Sequence, residues 1–366
     1  MTHHRLSTIR LPETGTRRDP PKRCEVLQPA FWDRYDSRTL IYDAYHCPRR
    51  KIVRLVLPRA FNLRPMLRAS MFRIDGRYAK PAIWRTWRHH EIIEFRGYTE
   101  ATQLAFTGGS VTAEVPISPV DTGVAGLNTV YTLSQDNDLT WLRDWARFHV
   151  VTHDLQAVVL FDNGSTAYDL GTLEEALLGV TGIKAVRIVD VPLPYGPLKQ
   201  DCTNRSDAKF LQVAMLNLAR DRFLASSRAW LALDVDELLV SPTGERIFDA
   251  VCASRFGHLT FPGMWHYPAT NHTAPRHADH RLIRADDTLC PTKYALQPAG
   301  IFGDFSLQVH SLEKIHRRYN LAANRFWFMH CYGISTSWKY ARDTPSGELT
   351  PASDLVQRSL DTAFKT

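Results

Sequence analysis

Residues 229–240 read AWLALDVDELLV, and their pattern is the strongest sequence indication of the fold class. Its first five residues are continuously apolar, which is typical of a strand buried on both faces of a parallel sheet. Asp234, Asp236 and Glu237 follow the apolar run directly. Residues two apart in an extended chain point to one face, about 6.6 Å apart along the strand. The stretch therefore predicts a cluster of carboxylates at the end of a buried strand.

The carboxylates of this cluster need a counter-charge, because ionised groups left unpaired beside buried apolar residues cost free energy. Carboxylate oxygens are ligands that Mg²⁺ and Mn²⁺ prefer, and these ions keep further positions for water and substrate phosphates. We therefore predict that Asp234 and Asp236 bind one of these two cations. The alternative is a solvated turn after the strand, which an arbitrary D-x-D sequence can also form.

Strand and helix patterns alternate upstream of this stretch. Strands are expected at 129–133, 157–161 and 185–189, and helices at 139–149, 173–180 and 207–224. Asn137 or Asp138 is expected to cap the first of these helices. The alternation predicts an α/β fold with a mostly parallel central sheet flanked by helices. In such sheets the functional groups gather beyond the carboxyl ends of the strands, where Asp162 and Asp234 lie.

The sequence divides the 366 residues into four parts. Residues 1–25 are polar, basic and proline-containing, which predicts a flexible arm. Residues 26–125 contain short strand-like runs separated by turn formers, which predicts a small β-rich accessory region. The α/β domain is expected at 126–345, and residues 346–366 are expected to form a C-terminal tail.

The formal net charge of +7 comes from the first part of the chain. Residues 1–100 contain 21 Lys and Arg against 10 Asp and Glu, whereas the remainder contains 24 against 28. No nucleic-acid-binding motif accompanies the basic residues, so we expect no nucleic-acid partner. The basic residues of segment 1–100, called the basic front below, suit peripheral contact with an anionic membrane. The alternative is that the arginines of this front decorate a soluble β-rich module.

The cysteines and the apolar runs bear on the compartment. The six cysteines include no C-x-x-C pair, which favours reduced thiols over disulfides or a zinc site. No apolar run approaches the roughly 18 residues of a membrane span, and residues 1–23 show no apolar leader. The sequence therefore predicts a cytoplasmic protein, with peripheral contact at the inner face of the membrane.

Four segments together resemble a known enzyme group. They are YTLSQDNDLTWLRDWARFH (131–149), AVVLFDNGST (157–166), NRSDAKFLQVAMLNLARDRF (204–223) and WLALDVDELL (230–239). In this order they resemble the GT-A-fold glycosyltransferases, in the family-2-like and family-92-like group with DN-x-S and D-x-D-E segments. The resemblance covers about residues 128–240 and continues more loosely to about 345.

This resemblance implies a GT-A, Rossmann-like fold and a metal-dependent transferase. Such an enzyme moves a sugar from a nucleotide-sugar donor, with a UDP-sugar favoured, to a glycan or lipid-linked acceptor. It also implies bacterial surface polysaccharide or glycoconjugate synthesis, and inversion at the anomeric carbon. In that group Asp234 and Asp236 would hold the metal across the donor diphosphate. His330 would be the third metal ligand, with His310 as second choice.

The same resemblance assigns the donor contacts. Asp162 and Asn163 would bind the nucleotide; the alternative is a capped turn, since D-N-G-S is also a good turn sequence. Arg205, Asp207 and Lys209 would bind the diphosphate or sugar hydroxyls at the start of a helix. A solvated helix face is the alternative for at least part of that group.

The family pattern does not fix the catalytic base or the acceptor contacts, so several residues are candidates. A base near the acceptor hydroxyl is needed for inversion, and Asp304 and Glu237 are the candidates, with Glu313 as a rival. Trp265 could stack on the apolar face of an acceptor sugar. Phosphate or carboxylate contacts are expected from two lysines, Lys293 and Lys339.

Two other classes of protein remain open. LDVDELLV superficially resembles the signature of haloacid-dehalogenase phosphatases, with Asp234 as nucleophile. That signature wants Thr or Val where Leu238 stands, and it usually opens its domain, whereas a strand–helix–strand–helix run precedes it here. A non-catalytic protein that binds anionic surfaces through its basic front is the other alternative.

Overall fold

The computed structural model describes residues 3–269, 274–334 and 348–364. The chain divides into two compact units that are not contiguous in sequence. The large unit comprises Met1–His4, Thr122–Asp190 and Phe223–Thr366, and the small unit comprises Arg5–Asp121 and Val191–Arg222.

Strands and helices are numbered along the described residues. The strands are β1 His3–Arg5, β2 Ile9–Arg10, β3 Thr39–Ile41, β4 Asp43–Cys47, β5 Ile52–Pro58, β6 Met71–Ile74, β7 Arg77–Ala79, β8 Ile83–Thr86, β9 His90–Arg96, β10 Gln103–Gly108, β11 Val111–Pro116, β12 Ser118–Pro119, β13 Asn128–Ser134, β14 Ala157–Asp162, β15 Ala185–Asp190, β16 Ala229–Ala232, β17 Glu237–Val240, β18 His258–His266, β19 Leu282–Arg284, β20 Cys290–Leu296, β21 Leu307–Gln308, β22 Ser311–Leu312, β23 Trp327–Cys331 and β24 Leu349–Pro351. The α-helices are α1 Phe31–Arg34, α2 Arg64–Ala69, α3 Leu139–His153, α4 Leu170–Leu178, α5 Leu211–Arg222, α6 Ile247–Ala253 and α7 Asp354–Phe364. Short 3₁₀ helices span Pro48–Arg50, Phe61–Leu63, Arg205–Ala208 and His277–Asp279.

The large unit is built on a nine-stranded sheet in the order β1-β15-β14-β13-β16-β20-β18-β23-β17. The neighbours β15, β14, β13 and β16 are parallel. Strand β20 is antiparallel to both β16 and β18, and β17 is antiparallel to β23. The predicted α/β class with a Rossmann-like parallel core is therefore confirmed, and the far half of the sheet adds antiparallel pairs.

Local sequence explains these elements. All six residues of β14, AVVLFD, are buried, as the continuous apolar run predicts for a strand covered on both faces. Helix α3 begins after Asp138, whose carboxylate accepts a hydrogen bond from the Thr140 amide at 2.6 Å. Trp145 and Phe148 on α3 are fully buried in the main hydrophobic core. Among the described helices, none combines the length and apolar character needed to cross a membrane.

The small unit contains a four-stranded sheet β11-β10-β6-β7 and a five-stranded sheet β12-β4-β5-β9-β8. This agrees with the β-rich character predicted for 26–125. Its hydrophobic core includes Leu40, Val53 and Ile93. Helix α5 belongs to this unit and contacts β5, although the sequence places it within the α/β domain.

Both chain ends contain packed residues. The sequence predicts a flexible arm at 1–25, yet the Arg18 side chain is fully buried and its guanidinium donates to backbone carbonyls of residues including Arg59. At the other end, the predicted tail contains helix α7, which contacts α3, with the Phe148 and Phe364 ring centroids 6.1 Å apart. Polar, basic composition favours mobility at residues 1–25, but a buried Arg18 with backbone partners shows that part of this segment is packed.

Candidate active site

The carboxylate cluster lies where the direction of chain winding reverses in the sheet. From β13 the chain proceeds to β14 and β15 on one side, and it returns to β16 on the other side. In open α/β sheets ligands bind beyond the carboxyl ends of the strands at such a switch point. Asp234 and Asp236 follow the carboxyl end of β16 directly, and Asp162 ends β14 two strands away. Asp162 and the cluster therefore lie at one edge of the sheet.

Lys293 ties together two members of the cluster. Its Nζ lies 2.8 Å from Asp234 Oδ2 and 3.0 Å from Glu237 Oε2. The backbone amide of Asp234 donates to the same Glu237 oxygen at 2.9 Å. The side chains of Lys293 and Glu237 are only 4% and 3% exposed, whereas that of Asp234 is 24% exposed. Lys293, for which the sequence predicts a phosphate or carboxylate contact, thus contacts carboxylates.

His330 binds the other side of the cluster. Its Nε2 lies 3.1 Å from Asp236 Oδ2, and Cys290 Sγ lies 3.5 Å from its Nδ1. Strand pairing brings this about, because Glu237 on β17 is the register partner of His330 on β23. The Trp265 ring stacks on the imidazole with 3.8 Å between ring centroids. At least one face of the Trp265 ring is therefore covered by His330.

Three of these side chains can converge on one cation. Asp236, Glu237 and His330 each offer a ligand atom, and the three atoms lie within 4.8 Å of one another. Two carboxylate oxygens and one imidazole nitrogen form a donor set that suits divalent cations such as Mn²⁺. The residues present therefore fit a metal ion. Asp234 lies beside them, with one oxygen bound by Lys293.

Burial and charge shift the protonation of the cluster. Burial raises the pKa of Glu237 to about 7; the Lys293 ammonium opposes this effect and the Asp234 carboxylate adds to it. Burial alone would lower the pKa of Lys293, but Asp234 and Glu237 outweigh it and raise that pKa above its usual value. The ammonium therefore stays charged at neutral pH, while Glu237 titrates near neutrality.

Two buried histidines support the backbone around the cluster. His277 Nε2 lies 2.8 Å from the carbonyl oxygen of Val235, and His280 Nε2 lies 2.8 Å from that of Tyr332. Burial lowers the pKa of His277 to about 4, so the ring is neutral and Nε2–H can donate. Sequence reasoning assigned no role to either histidine, because their partners are backbone atoms far away in sequence.

Asp162 has the geometry of a capped turn. Its Oδ2 accepts from the Ser165 amide at 2.8 Å, and its Oδ1 accepts from the Ser165 hydroxyl at 2.5 Å. The Asn163 amide donates to the Ser134 carbonyl at 2.8 Å. Burial raises the pKa of Asp162, and the hydrogen bonds from Ser165 oppose that effect. The turn alternative is thus present, and a nucleotide contact by Asp162 and Asn163 stays a prediction.

Arg205, Asp207 and Lys209 belong to the small unit, whereas the carboxylate cluster belongs to the large unit. A contact of these three residues with the donor stays a prediction. Asp207 pairs with Arg88 at 3.1 Å, and the Lys209 ammonium lies 4.7 Å from the centroid of the Tyr195 ring. The prediction that these residues begin the helix at 207 is wrong. A separate 3₁₀ helix spans Arg205–Ala208, and Lys209 adopts an extended conformation before α5 begins at Leu211.

The remaining predicted residues lie in segment 304–313, after β20, or outside the described residues. Asp304 is exposed in the turn segment before β21. Glu313 accepts hydrogen bonds from Ser306 and Gln308. His310 Nδ1 lies 3.1 Å from the Thr292 carbonyl, next to Lys293 in sequence. Lys339 lies outside the described residues.

Comparisons with known proteins add structural likeness only. No family model and no curated protein matches the chain. Among solved structures, the galactosyltransferase LgtC in complex with donor and acceptor sugar analogs aligns at 19% identity and a TM-score of 0.26, over 38% of this chain and 46% of that chain. GalNAc-T7 with UDP, GalNAc and Mn²⁺ aligns at 11% identity and a TM-score of 0.33, over 59% and 45%. S. aureus TarS aligns at 11% identity and a TM-score of 0.31, over 55% and 36%. The matched part of each of these three chains is less than half of its length, and likeness of this size assigns no activity.

Proposed function

We propose that this chain is a metal-dependent GT-A glycosyltransferase that moves a sugar from a nucleotide-sugar donor to an acceptor. The observation that carries this proposal is the convergence of Asp236, Glu237 and His330 at the switch point of a parallel sheet. Paired oxygen ligands and an imidazole at the carboxyl edge suit a cation that binds a diphosphate. A UDP-sugar donor, as the sequence resemblance implies, is the favoured substrate.

The roles of the residues follow from their positions. When bound, a Mn²⁺ or Mg²⁺ ion supplies Lewis-acid stabilisation of the charge that develops on the leaving nucleotide. Asp236, Glu237 and His330 would hold it. Asp162, at the end of β14 on the same edge, would contact the nucleotide. Because Glu237 is buried against Lys293, Asp304 is the better candidate for a base that accepts the acceptor's proton during inversion.

The acceptor proposed is a glycan or lipid-linked sugar of bacterial surface polysaccharide or glycoconjugate synthesis. Peripheral contact of residues 1–100 with an anionic membrane, at the cytoplasmic face, remains part of this proposal. Several of the arginines in this segment are already paired within the small unit: Arg54 contacts Glu94 and Asp221, and Arg59 and Arg64 both contact Glu91. The exposed arginines of the segment would have to carry that contact.

The test is donor turnover by the full chain. Wild type is assayed with a panel of UDP-, GDP- and dTDP-sugars, with and without Mn²⁺, by release of nucleoside diphosphate. Asp236→Ala is expected to lower turnover by about 100-fold or more, because loss of even outer metal contacts costs 10–100-fold. The control is Asp249→Ala, which removes an exposed carboxylate of the same unit paired with Arg228. Unchanged turnover in Asp236→Ala, with wild type active, contradicts the metal role.

A phosphatase with Asp234 as nucleophile is the second candidate, and one observation favours it. Lys293 lies 2.8 Å from the Asp234 carboxylate, as a cation that orients a nucleophile would. Hydrolysis of p-nitrophenyl phosphate in Mg²⁺ that disappears in Asp234→Asn, without any release of nucleoside diphosphate from nucleotide-sugars, would favour this activity over glycosyl transfer.

A further inference from the structure

The least expected feature of the carboxylate cluster is the ammonium group within it. Lys293 lies in the middle of β20, a strand with neighbours on both sides, and six of the seven β20 residues are buried. An ammonium at such a position is costly unless its partners surround it. Its Nζ contacts Asp234 Oδ2 at 2.8 Å and Glu237 Oε2 at 3.0 Å. Lys293 is therefore an internal cation of the cluster.

The four side chains of the cluster, those of Asp234, Asp236, Glu237 and His330, do not all contact the same partner. Asp234 gives one oxygen to Lys293, and its amide holds Glu237 Oε2. Asp236 instead faces His330, at 3.1 Å. The ligand atoms that lie within 4.8 Å of one another come from Asp236, Glu237 and His330, whereas the ammonium contacts Asp234 and Glu237.

We propose that Lys293 is a positioning residue: its ammonium keeps Asp234 out of the metal ligand set, so that a divalent cation binds Asp236, Glu237 and His330. A metal at Asp234 Oδ2 would be repelled by the ammonium 2.8 Å away. Glu237 contacts the ammonium through Oε2, but only one of its two oxygens is needed as a metal ligand, and that ligand atom lies within 4.8 Å of those of Asp236 and His330. Glu237 is held by both Lys293 and the Asp234 amide. The Asp234 carboxylate therefore acts on Glu237 indirectly, because it binds the ammonium of Lys293, which in turn contacts Glu237.

This inference rests on the metal dependence proposed above, but its test needs neither donor nor acceptor. The probe is Mn²⁺ alone, titrated into the full chain and followed by electron paramagnetic resonance of the free ion. Asp236→Asn and Glu237→Gln are expected to raise the Kd for Mn²⁺ by about tenfold or more. Asp234→Asn is expected to change it by less than about threefold, because this residue binds Lys293 instead of the metal.

The decisive comparison repeats Asp234→Asn in a Lys293→Met background. Without the ammonium, Asp234 is released toward the metal and the repulsion disappears, so Lys293→Met is expected to lower the Kd by about tenfold. In that background Asp234→Asn should raise the Kd by about tenfold. Coupling of this sign is not produced by a merely structural role of Lys293. Lys184→Met, at an exposed lysine of the same unit, is the matched control and should leave the Kd unchanged.

Several outcomes would overturn the inference. One is that, in the wild-type background, Asp234→Asn raises the Kd for Mn²⁺ as much as Asp236→Asn does. Another is that Asp234→Asn changes this Kd equally in the wild-type and Lys293→Met backgrounds. Weaker Mn²⁺ binding by Lys293→Met would also contradict it. If Lys293→Met does not fold, the comparison of Asp234→Asn with Asp236→Asn in the wild-type background tests the inference by itself. Sugar transfer in Mn²⁺ together with a large Asp234→Asn effect leaves the proposed function standing, whereas a wild type that binds no Mn²⁺ contradicts both.

Discussion

Glu237 is a buried residue of the cluster that receives two contacts at one oxygen. Its side chain is 3% exposed, and one of its oxygens receives both the Lys293 ammonium and the Asp234 amide. Burial nevertheless dominates and raises its pKa to about 7. The ordinary value of a glutamate in an unfolded chain is about 4.3. The protonated form is therefore favoured by folding over the intervening pH range.

This shift makes the stability of the metal-free protein depend on pH. The folded state binds more protons than the unfolded state between the two pKa values, so the Glu237 contribution falls as pH rises through that range. Wild type should lose about 1 kcal/mol per pH unit relative to Glu237→Gln between pH 5 and pH 7. Urea unfolding with a chelator, at several pH values, measures the difference. A difference that does not vary with pH contradicts the shift.

Local sequence pattern singles out several residues of the cluster, and their roles as metal ligands stay predictions. Asp234 and Asp236 follow an apolar strand, and His330 lies on the aromatic strand β23, which pairs with β17. Topology therefore brings Asp236 and His330 together. The roles of Cys290 and His277 could not be predicted, because each contacts the site through a pairing between distant strands or through a backbone carbonyl. For Lys293 the sequence predicts only a contact with a phosphate or carboxylate, since no local pattern specifies which anion.

At the scale of elements, β17 is an edge strand that helix α3 covers with histidines. The Leu239 amide of β17 donates to His149 Nε2 at 3.2 Å, and the Leu239 carbonyl lies 2.9 Å from His153 Nε2. An exposed edge otherwise offers unpaired backbone groups for association with another chain. Because Glu237 begins β17, these bonds also hold the strand that carries a site residue.

Each imidazole must be neutral, because each also accepts a hydrogen bond at one ring nitrogen. His149 accepts at Nε2, and its Nδ1 lies 2.8 Å from the Trp145 carbonyl; His153 accepts at Nδ1 from the Ile247 amide at 3.3 Å. Burial lowers the pKa of His149 to about 3 and that of His153 to about 4. Each value is below the 6.5 or so of a histidine in an unfolded chain. The stabilisation that these two histidines contribute is therefore complete above the pKa of the unfolded chain. It is lost as pH falls from there toward the pKa values of the folded state.

We expect wild type to lose about 1 kcal/mol of unfolding free energy per histidine for each pH unit below 6.5. His149→Gln/His153→Gln should be less stable at pH 7.5 by about 1–3 kcal/mol, because backbone groups of β17 lose good partners. The same variant should be less sensitive to acid than wild type. Urea unfolding between pH 5 and 7.5 tests this, with His316→Gln, at an exposed histidine, as the control. Equal acid sensitivity in the double variant would refute it.

Elements were predicted well wherever one segment determines its own structure. Strands β13, β14, β15 and β16 appear where the apolar runs predict them, and Asp138 caps α3. The start of α5 was misplaced because Lys209 leaves the helical conformation after a 3₁₀ turn. The extended conformation of Lys209 separates the 3₁₀ helix from α5, and no residue pattern in this segment predicts that break.

At the scale of the whole molecule, the two units interleave along the chain. Residues 191–222 belong with residues 5–121, although residues on both sides of them build the large sheet. Buried ion pairs join them within the small unit: Arg222 contacts Asp43 at 2.8 Å, and Asp221 contacts Arg54. Part of the basic charge of the first hundred residues therefore balances acids inside its own unit, which a count along the sequence cannot show.

This interleaving predicts how a truncated chain behaves. In a fragment of residues 122–366, helix α5 loses β5, its principal packing partner in the small unit, and Asp221 and Arg222 lose Arg54 and Asp43. Local opening of a segment that has lost its buried contacts exposes it to protease. Trypsin should therefore cut after Arg222 at least about tenfold faster in the fragment than in the full chain, as followed by mass spectrometry. Cleavage after Arg246, whose side chain is 55% exposed and whose partner Asp154 is kept in the fragment, should be equal in both and serves as the internal control. Equal protection of Arg222 in the two forms would mean that residues 191–222 hold their structure without the first 121 residues, and the assignment of α5 to the small unit would then fail.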